Sequence, residues 1–577
     1  MLRERQRQHA VLRTGSLLIV LSIAKTDRQE CPTVNSQSMP GTRFIALARF
    51  CLVGASLLGF SPGLPAKVPA KKNARATATP EQRAERALQA ARGNPLDLRN
   101  FLVRMPKGAD LHNHLSGAIY AETWIRDAAE DGLCVDLGSY SFARPVMAAR
   151  SSDSQPDCGD GKVLAAKAFA DQHLYDALID AFSMRSFVPS AGVSGHDHFF
   201  DSFAKFDGTS LRHSGEWLDE IAARAASQNE QYLELMETPD FIRTAQLSRE
   251  VGWRDDLGQL REQYLAHGLR DIIAVARGAR DDAESSRNAI EHCGTPQEAP
   301  ACQVTIRYLY QILRGFPKEQ VFAQTLLGFE VASADRRFVG INFVMPEDGR
   351  TSMADYALHM KIVGFLHGLY PQVHISLHAG EIAPGLVTPD GLCCHIRLAV
   401  EEAHAERIGH GVDVMYEDRP YELLKEMAAK HVMVEINLTS NDVILGVKGK
   451  EHPFPIYRRY RVPVALSTDD EGVSRIDMTH EYMRAVETYG LSYADLKQMA
   501  RTSLEHTFLP GASLWREPDN FDRATATCAL AVPGGGKPIR LNAPSEPSSC
   551  PAFLKSSQKA QQQWELERRF REFEATF

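Results

Sequence analysis

The sequence has no excess of positive charge, no repeat of fixed period and no motif of a nucleic-acid-binding module. Lysine and arginine number 65 against 73 acidic residues, for a formal net charge of -8. No general basic field draws in nucleic acid, and a substrate rich in phosphates finds little overall attraction. Long apolar runs are scarce as well. The two near the N-terminus, 17–24 and 51–60, are too short to span a bilayer comfortably, so no stable membrane insertion is expected. What is present is ordinary for a globular chain: 44% hydrophobic and 24% charged residues over 577 positions, enough for a sizeable core.

Residues 1–66 read as an extension and an export signal. Arg43 and Arg49 give a positive start, 51–60 an apolar stretch and Ala66 a small-residue cleavage edge. The expected leader runs from Met39 to about Ala66, and the destination is the periplasm or the exterior; a single uncleaved anchor is the alternative. Residues 67–80, rich in Lys, Ala, Pro and Thr, read as a linker. Cysteine usage agrees with export. Cys134 and Cys158, Cys293 and Cys302, and Cys528 and Cys550 are sequence neighbours in loop-like stretches. They fit either three loop disulfides in an oxidising compartment or scattered free thiols.

Short apolar runs alternate with stretches of helical spacing. Strands are expected at 231–237, 304–310, 338–345, 374–378, 431–437 and 462–467, with shorter ones at 107–114 and 407–411. Helical spacing covers 389–405 and 421–430. Strand–helix alternation argues for a parallel sheet, and eight candidates suggest a closed (β/α)8 barrel over 81–515. Insertions interrupt it at 131–210 and 277–302. Residues 516–577 form an irregular extension whose last part, 559–577, has helical character and charges expected to face solvent.

The chemistry-bearing residues fall at the C-terminal ends of these strands, which form one mouth in a barrel. Asp110-Leu-His112-Asn-His114 places two imidazoles on one strand face, because side chains alternate with period two. Such a pair can take a borderline metal such as zinc. Ser376-Leu-His378-Ala-Gly380-Glu381 ends a strand on a histidine, with a carboxylate three positions on. Arg407-Ile-Gly409-His410-Gly411 puts a histidine between glycines, where backbone must come close to something. Ser467-Thr468-Asp469-Asp470-Glu471 sets three acids after an apolar run, easier to explain beside a cation. Singly, each also reads as a core histidine, a turn or an acidic surface loop. Together they supply what metal-assisted hydrolysis needs.

With these residues in hand, the chain resembles the adenosine and AMP deaminase family of metal-dependent amidohydrolases, in its exported bacterial form, over roughly 102–515. The resemblance rests on DLHNHLSGA at 110–118, SLHAGE at 376–381, RIGHG at 407–411, NLTSN at 437–441, STDDEG at 467–472 and RTSLEHTFL at 501–509. It implies a (β/α)8 barrel and one zinc ion per chain on His112, His114, His378 and Asp469. It implies Glu381 as proton donor to purine N1, His410 as the residue that orients the attacking water and helps take its proton, and Asp470 as the hydrogen-bond partner of N7 and of the attacking oxygen. The implied reaction is hydrolytic deamination of adenosine or 2′-deoxyadenosine, with hydroxide attacking C6. Gly380, Ser116 and Phe206 are implied at the substrate, Phe206 from an apolar lid at 201–206, with simple helix packing as the alternative for that segment. His196 and His198 are expected in surface or loop roles.

Two positions depart from the family. Ser116 stands where an aspartate contacts the ribose, and Met345 where a glycine meets the purine edge. They motivate an alternative substrate: adenine, an N6-modified purine or a nucleotide. An inactive secreted binding protein on the same scaffold is the remaining alternative.

Overall fold

The computed structural model describes residues 78–146, 157–535 and 549–577. The proposed leader, Cys31 and Cys51, and nearly all of the linker lie outside these residues. Eight parallel strands follow in order: β1 Gly108–His114, β2 Glu230–Glu237, β3 Thr305–Leu313, β4 Phe338–Val344, β5 His374–Ala379, β6 Arg407–His410, β7 Met433–Ile436 and β8 Val464–Leu466. Each pairs with its sequence neighbour, and helices surround the sheet. Every residue of β1, β2 and β4 is buried, as expected for strands covered on both faces.

The ring closes where the candidate chemistry sits. The His114 N–H donates to the Asp469 carbonyl at 3.0 Å, and the Asp469 N–H donates to the His112 carbonyl at 2.9 Å. This bridge joins the end of β8 to β1. The eight expected strands all appear, with ends shifted by a few residues, and the barrel is the fold inferred from their alternation.

The insertion at 131–210 contains a small antiparallel sheet, with Cys134–Asp136 between Ser141–Ala143 and Lys162–Leu164. It ends in the helix Gly195–Phe206, which roofs the mouth. The second expected insertion is different in kind. Its first part is the end of a 22-residue helix, Leu269–Ile290, whose buried Leu269, Ile272, Ala276 and Ala283 hold it against the barrel. The expected helix at 389–405 is split into Pro389–Leu392 and His395–Glu401, because Cys394 between them has φ +90°.

The three expected cysteine pairs are bonded, with Cα atoms 5.7, 5.5 and 4.9 Å apart, and Cys393 is bonded to Cys394. Among the described residues no helix is long and apolar enough to cross a membrane.

The C-terminal charges correct an expectation. The helix Gln558–Glu574 does not present them to solvent as a whole. Phe570 and Phe573 are buried, and Phe573 meets Phe101 with ring centroids 5.1 Å apart. Its buried acids are paired, Glu567 with Arg501 at 2.6 Å and Glu574 with Lys497 at 2.6 Å.

One buried acid behind the mouth is left half satisfied. Glu481, on the helix Met478–Tyr489, accepts the Thr439 N–H at 3.3 Å, while its Oε1 has no partner. Burial pushes its carboxyl up to about 7. The folded state therefore binds a proton that the unfolded chain releases above its ordinary pKa of 4.5. Stability falls as pH rises through that window and is level above it. Glu481→Gln, which needs no ionisation, is expected to gain about 2–3 kcal/mol relative to wild type between pH 4.5 and 8. Urea midpoints at both pH values check this; parallel pH dependences in the two proteins would refute it.

Candidate active site

His112 and His114 lie on β1, His378 on β5, and Asp469 just past β8. His378 Nε2 is 3.1 Å from His112 Nε2 and 3.2 Å from His114 Nε2. Asp469 Oδ1 is 3.3 and 3.2 Å from the same two nitrogens. These four separations bring the donors close enough to share one zinc ion, which holds nitrogen and carboxylate oxygen at about 2.0–2.2 Å.

The three imidazoles are oriented from behind. His112 Nδ1 donates to Glu435 at 2.7 Å, His114 Nδ1 to Gln311 Oε1 at 2.9 Å and His378 Nδ1 to Asn342 Oδ1 at 2.8 Å. Asn342 Oδ1 also accepts the His378 backbone N–H at 3.1 Å, which fixes it as the oxygen. With the protons on Nδ1, each Nε2 presents a lone pair to the common centre. Electrostatics point the same way. Burial opposes charge on His112, yet Asp469 and Glu435 outweigh it and raise the imidazole to about 10. The cluster demands a positive charge, which a divalent cation supplies without protonating a ligand. Arg407, fully buried, braces Glu435 at 2.7 Å and Glu234 at 2.6 Å. The glycine before His410 has its reason here: a Cβ on Gly409 would lie 2.5 Å from the His112 ring.

A ring nitrogen of His410 lies within 4.8 Å of the donors of His112, His378 and Asp469. Its tautomer is set by a relay. The Phe454 N–H donates to His452 Nδ1 at 3.1 Å, so His452 Nε2 carries a proton and donates to Asn441 Oδ1 at 3.0 Å. Asn441 Nδ2 then donates to His410 Nδ1 at 2.9 Å. The proton of His410 is left on Nε2, a buried atom with no protein partner. Burial pushes His410 down to about 3, so the ring is neutral at ordinary pH.

Glu381 is buried, and burial with the nearby Asp469 charge raises it well above the usual carboxylate range. Its turn is anchored by Glu347, which accepts the Gly380 and Glu381 N–H groups at 3.0 and 2.8 Å. Burial opposes the charge of Glu347, but Arg314 and His395 prevail and hold it at about 2. Burial likewise raises Asp470, to about 8, against the pull of His114. Asp470 sits directly over Gly117, where a Cβ would lie 1.5 Å from its Oδ1.

Of these groups His114, His378, Glu381, Asp469 and Asp470 line a chamber of about 370 Å³, together with Ser116, Phe199, Phe203, Met345 and Pro346. Two expectations change. Phe206 does not line it; the ring is stacked on Trp124, with centroids 5.0 Å apart, and Phe203, one turn earlier, takes the place assigned to it. Gly380 does not line it either, because its N–H is held by Glu347 and a Cβ there would meet Asp413 at 2.4 Å. Ser116 and Met345 both line it. Met345 has φ +83°, a backbone that glycine would adopt more easily. His196 and His198 belong to the roof helix and bond Asp348 and the Ser183 carbonyl, away from the cluster. Glu435, Gln311, Asn342 and His452 went unassigned in the sequence, although a carboxylate inside the run HVMVEIN was a visible irregularity.

A family profile described as adenosine deaminase matches residues 219–514, just over half of the chain. The adenosine deaminase of Clostridium perfringens is 35% identical over 135 residues, covering 23% of this chain and 37% of that protein. That of Escherichia coli is 36% identical over 137 residues, covering 24% and 38%. The matched stretch thus spans little more than a third of these relatives. Among solved structures, an N6-mAMP deaminase of Arabidopsis superposes with a TM-score of 0.46 at 20% identity, over 71% of this chain and 96% of that one. A zinc-bound amidohydrolase from Burkholderia ambifaria gives 0.47 at 17% identity, over 71% and 88%.

Proposed function

The chain belongs to the adenosine deaminase family, and from that premise we propose that it hydrolyses adenosine and 2′-deoxyadenosine to inosine and 2′-deoxyinosine with release of ammonia. One observation carries the reading: four metal-type donors meet at the barrel seam with three imidazole tautomers set for coordination. One zinc ion held by His112, His114, His378 and Asp469 would lower the pKa of a water and supply hydroxide near neutral pH.

The remaining work falls to the chain's own side chains. Glu381, kept protonated by burial, donates to N1 and makes C6 electrophilic. His410 is neutral with its proton on Nε2, so it holds the attacking oxygen by donating to it. Asp470, protonated, donates to N7 and fixes the ring. The apolar wall of Phe199, Phe203 and Pro346 covers the purine faces. Water adds at C6, the 6-amino group leaves as ammonia, and a 6-oxopurine remains. We place this reaction outside the cytoplasm, a setting in which the bonded cysteine pairs persist.

Met345 at the chamber wall and the short Ser116 favour a second reading, the same chemistry on adenine, an N6-modified purine or a nucleotide. Zinc-loaded protein assayed for ammonia release across this panel separates them. Adenosine and 2′-deoxyadenosine are expected to give the highest kcat/KM. Absence of turnover with both nucleosides would remove the leading reading.

A further inference from the structure

A second histidine–carboxylate group lies at the neck of the insertion 131–210. Asp127, on the helix Ala121–Glu130, precedes the insertion. His213, closing the short turn Leu211–His213, and Glu216, in the first turn of the helix Ser214–Ser227, follow it. One donor atom from each of the three lies within 4.8 Å of the others. None of them lines the purine chamber.

His213 and Asp127 are fully buried. His213 Nε2 is 3.2 Å from Asp131 Oδ1. Burial opposes the charge of Asp131, but the Ser210 N–H and Arg212 prevail and hold it below the usual carboxylate range. A carboxylate only accepts, so Nε2 carries a proton. The other nitrogen, Nδ1, has no hydrogen-bond partner among the described residues. It faces Asp127 Oδ1 at 3.7 Å and Glu216 Oε2 at 3.6 Å, both beyond hydrogen-bond range. The Trp217 Nε1–H donates to Asp127 Oδ2 at 2.7 Å and leaves Oδ1 turned to the imidazole. Arg126 answers part of this arrangement, with Nη2 at 2.8 Å from each of the two oxygens. It satisfies the carboxylates and leaves the imidazole nitrogen bare. Its side chain is 44% exposed, so it can turn into water at little cost. Four carboxylates, of Asp127, Glu130, Asp131 and Glu216, meet only two arginines here, Arg126 and Arg212. The two unmatched negative charges are what a divalent cation carries.

We propose that His213 Nδ1, Asp127 Oδ1 and Glu216 Oε2 form a second, exchangeable site for a divalent cation of the zinc type, with Arg126 displaced into solvent. One imidazole and two carboxylates suit that ion. Asp131 behind His213 and Trp217 behind Asp127 orient the donors, as outer partners do in metal sites. The bound ion joins the two ends of the insertion, and a clip that closes a long loop is where a cross-link stabilises most. Three donors, one of them 40% exposed, and a competing arginine make the site weaker than the quartet at the barrel seam. It fills from added metal and empties on desalting.

The test is calorimetric titration of zinc chloride into full-length protein that has been zinc-loaded and then desalted. Wild type is expected to take up one further equivalent. Glu216→Gln is expected to bind it at least tenfold more weakly, since loss of even an outer partner costs about 10–100-fold in metal affinity. Arg126→Ala is expected to bind it severalfold more tightly, because the competing cation is gone. Both side chains are close to half exposed, so neither change removes core packing. Hydrogen exchange locates the ion: added zinc is expected to slow exchange across 121–130 and 211–217 in wild type and not in Glu216→Gln. No further uptake by wild type, a Kd that either variant leaves unchanged, or uptake without slower exchange in these two segments would overturn the proposal. None of these readings depends on turnover, so they stand or fall apart from the deaminase reading.

Discussion

A His378→Ala variant is expected to purify with a folded barrel, to hold well under one equivalent of zinc, and to lose about a thousandfold or more in kcat/KM on adenosine. His378 is the hub of the cluster: its Nε2 lies 3.1 and 3.2 Å from the other two imidazole nitrogens. Alanine leaves two nitrogens and one carboxylate oxygen of the four donors. A bound metal in such a site contributes several kcal/mol of transition-state stabilisation, and each 1.36 kcal/mol is about tenfold in rate. The backbone reasons for the strand are untouched, since β5 is held by its pairing with β4 and β6. Far-UV circular dichroism and metal analysis separate loss of the ion from loss of the fold. Wild type stripped by a chelator is expected to fall to a similar activity and to recover with added zinc, whereas the variant does not recover. A variant that keeps full zinc and near wild-type turnover would sink the four-ligand assignment.

The strands were legible because each is a short apolar run between polar or glycine-bearing turns, and the sheet pairs them in sequence order. The metal-type quartet was legible for a different reason: each donor lies within a compact motif at a strand end, so the barrel brings together what the sequence already marked. What escaped was partnership across the fold. Gln311 and Asn342 interrupt apolar strands visibly, but their partners, His114 and His378, come from other strands. Glu567 and Glu574 read locally as solvent-facing charges, because Arg501 and Lys497 lie 66 and 77 positions away. Phe206 failed on phase. Phe199, Phe203 and Phe206 share one helix, and only the packing of Trp124 under its last turn decides which rings reach the chamber.

Glu381→Gln is the variant that separates proton donation from metal binding. Glutamine keeps the shape and its N–H groups can still reach a ring nitrogen, but it cannot hand over a proton as C6 is attacked. General acid catalysis is worth about 10²–10⁴-fold, so kcat is expected to fall by that amount while KM for adenosine moves by only a few-fold and zinc content stays at one equivalent. The pH dependence carries the same information with a defined sign. Burial and Asp469 raise Glu381, so its protonated form persists to unusually high pH. Wild-type kcat/KM is expected to decline on the alkaline side as that proton is lost, and the residual activity of the variant is expected to lack this limb, because glutamine has no proton to lose there. The anchoring of the turn should be unaffected, since Glu347 grips the backbone N–H of residue 381 and not its side chain. A variant with more than a tenth of wild-type kcat, or one that loses its zinc as His378→Ala does, would place the acid elsewhere. Asp470, the other carboxyl of the chamber raised by burial, would then be the group to replace next.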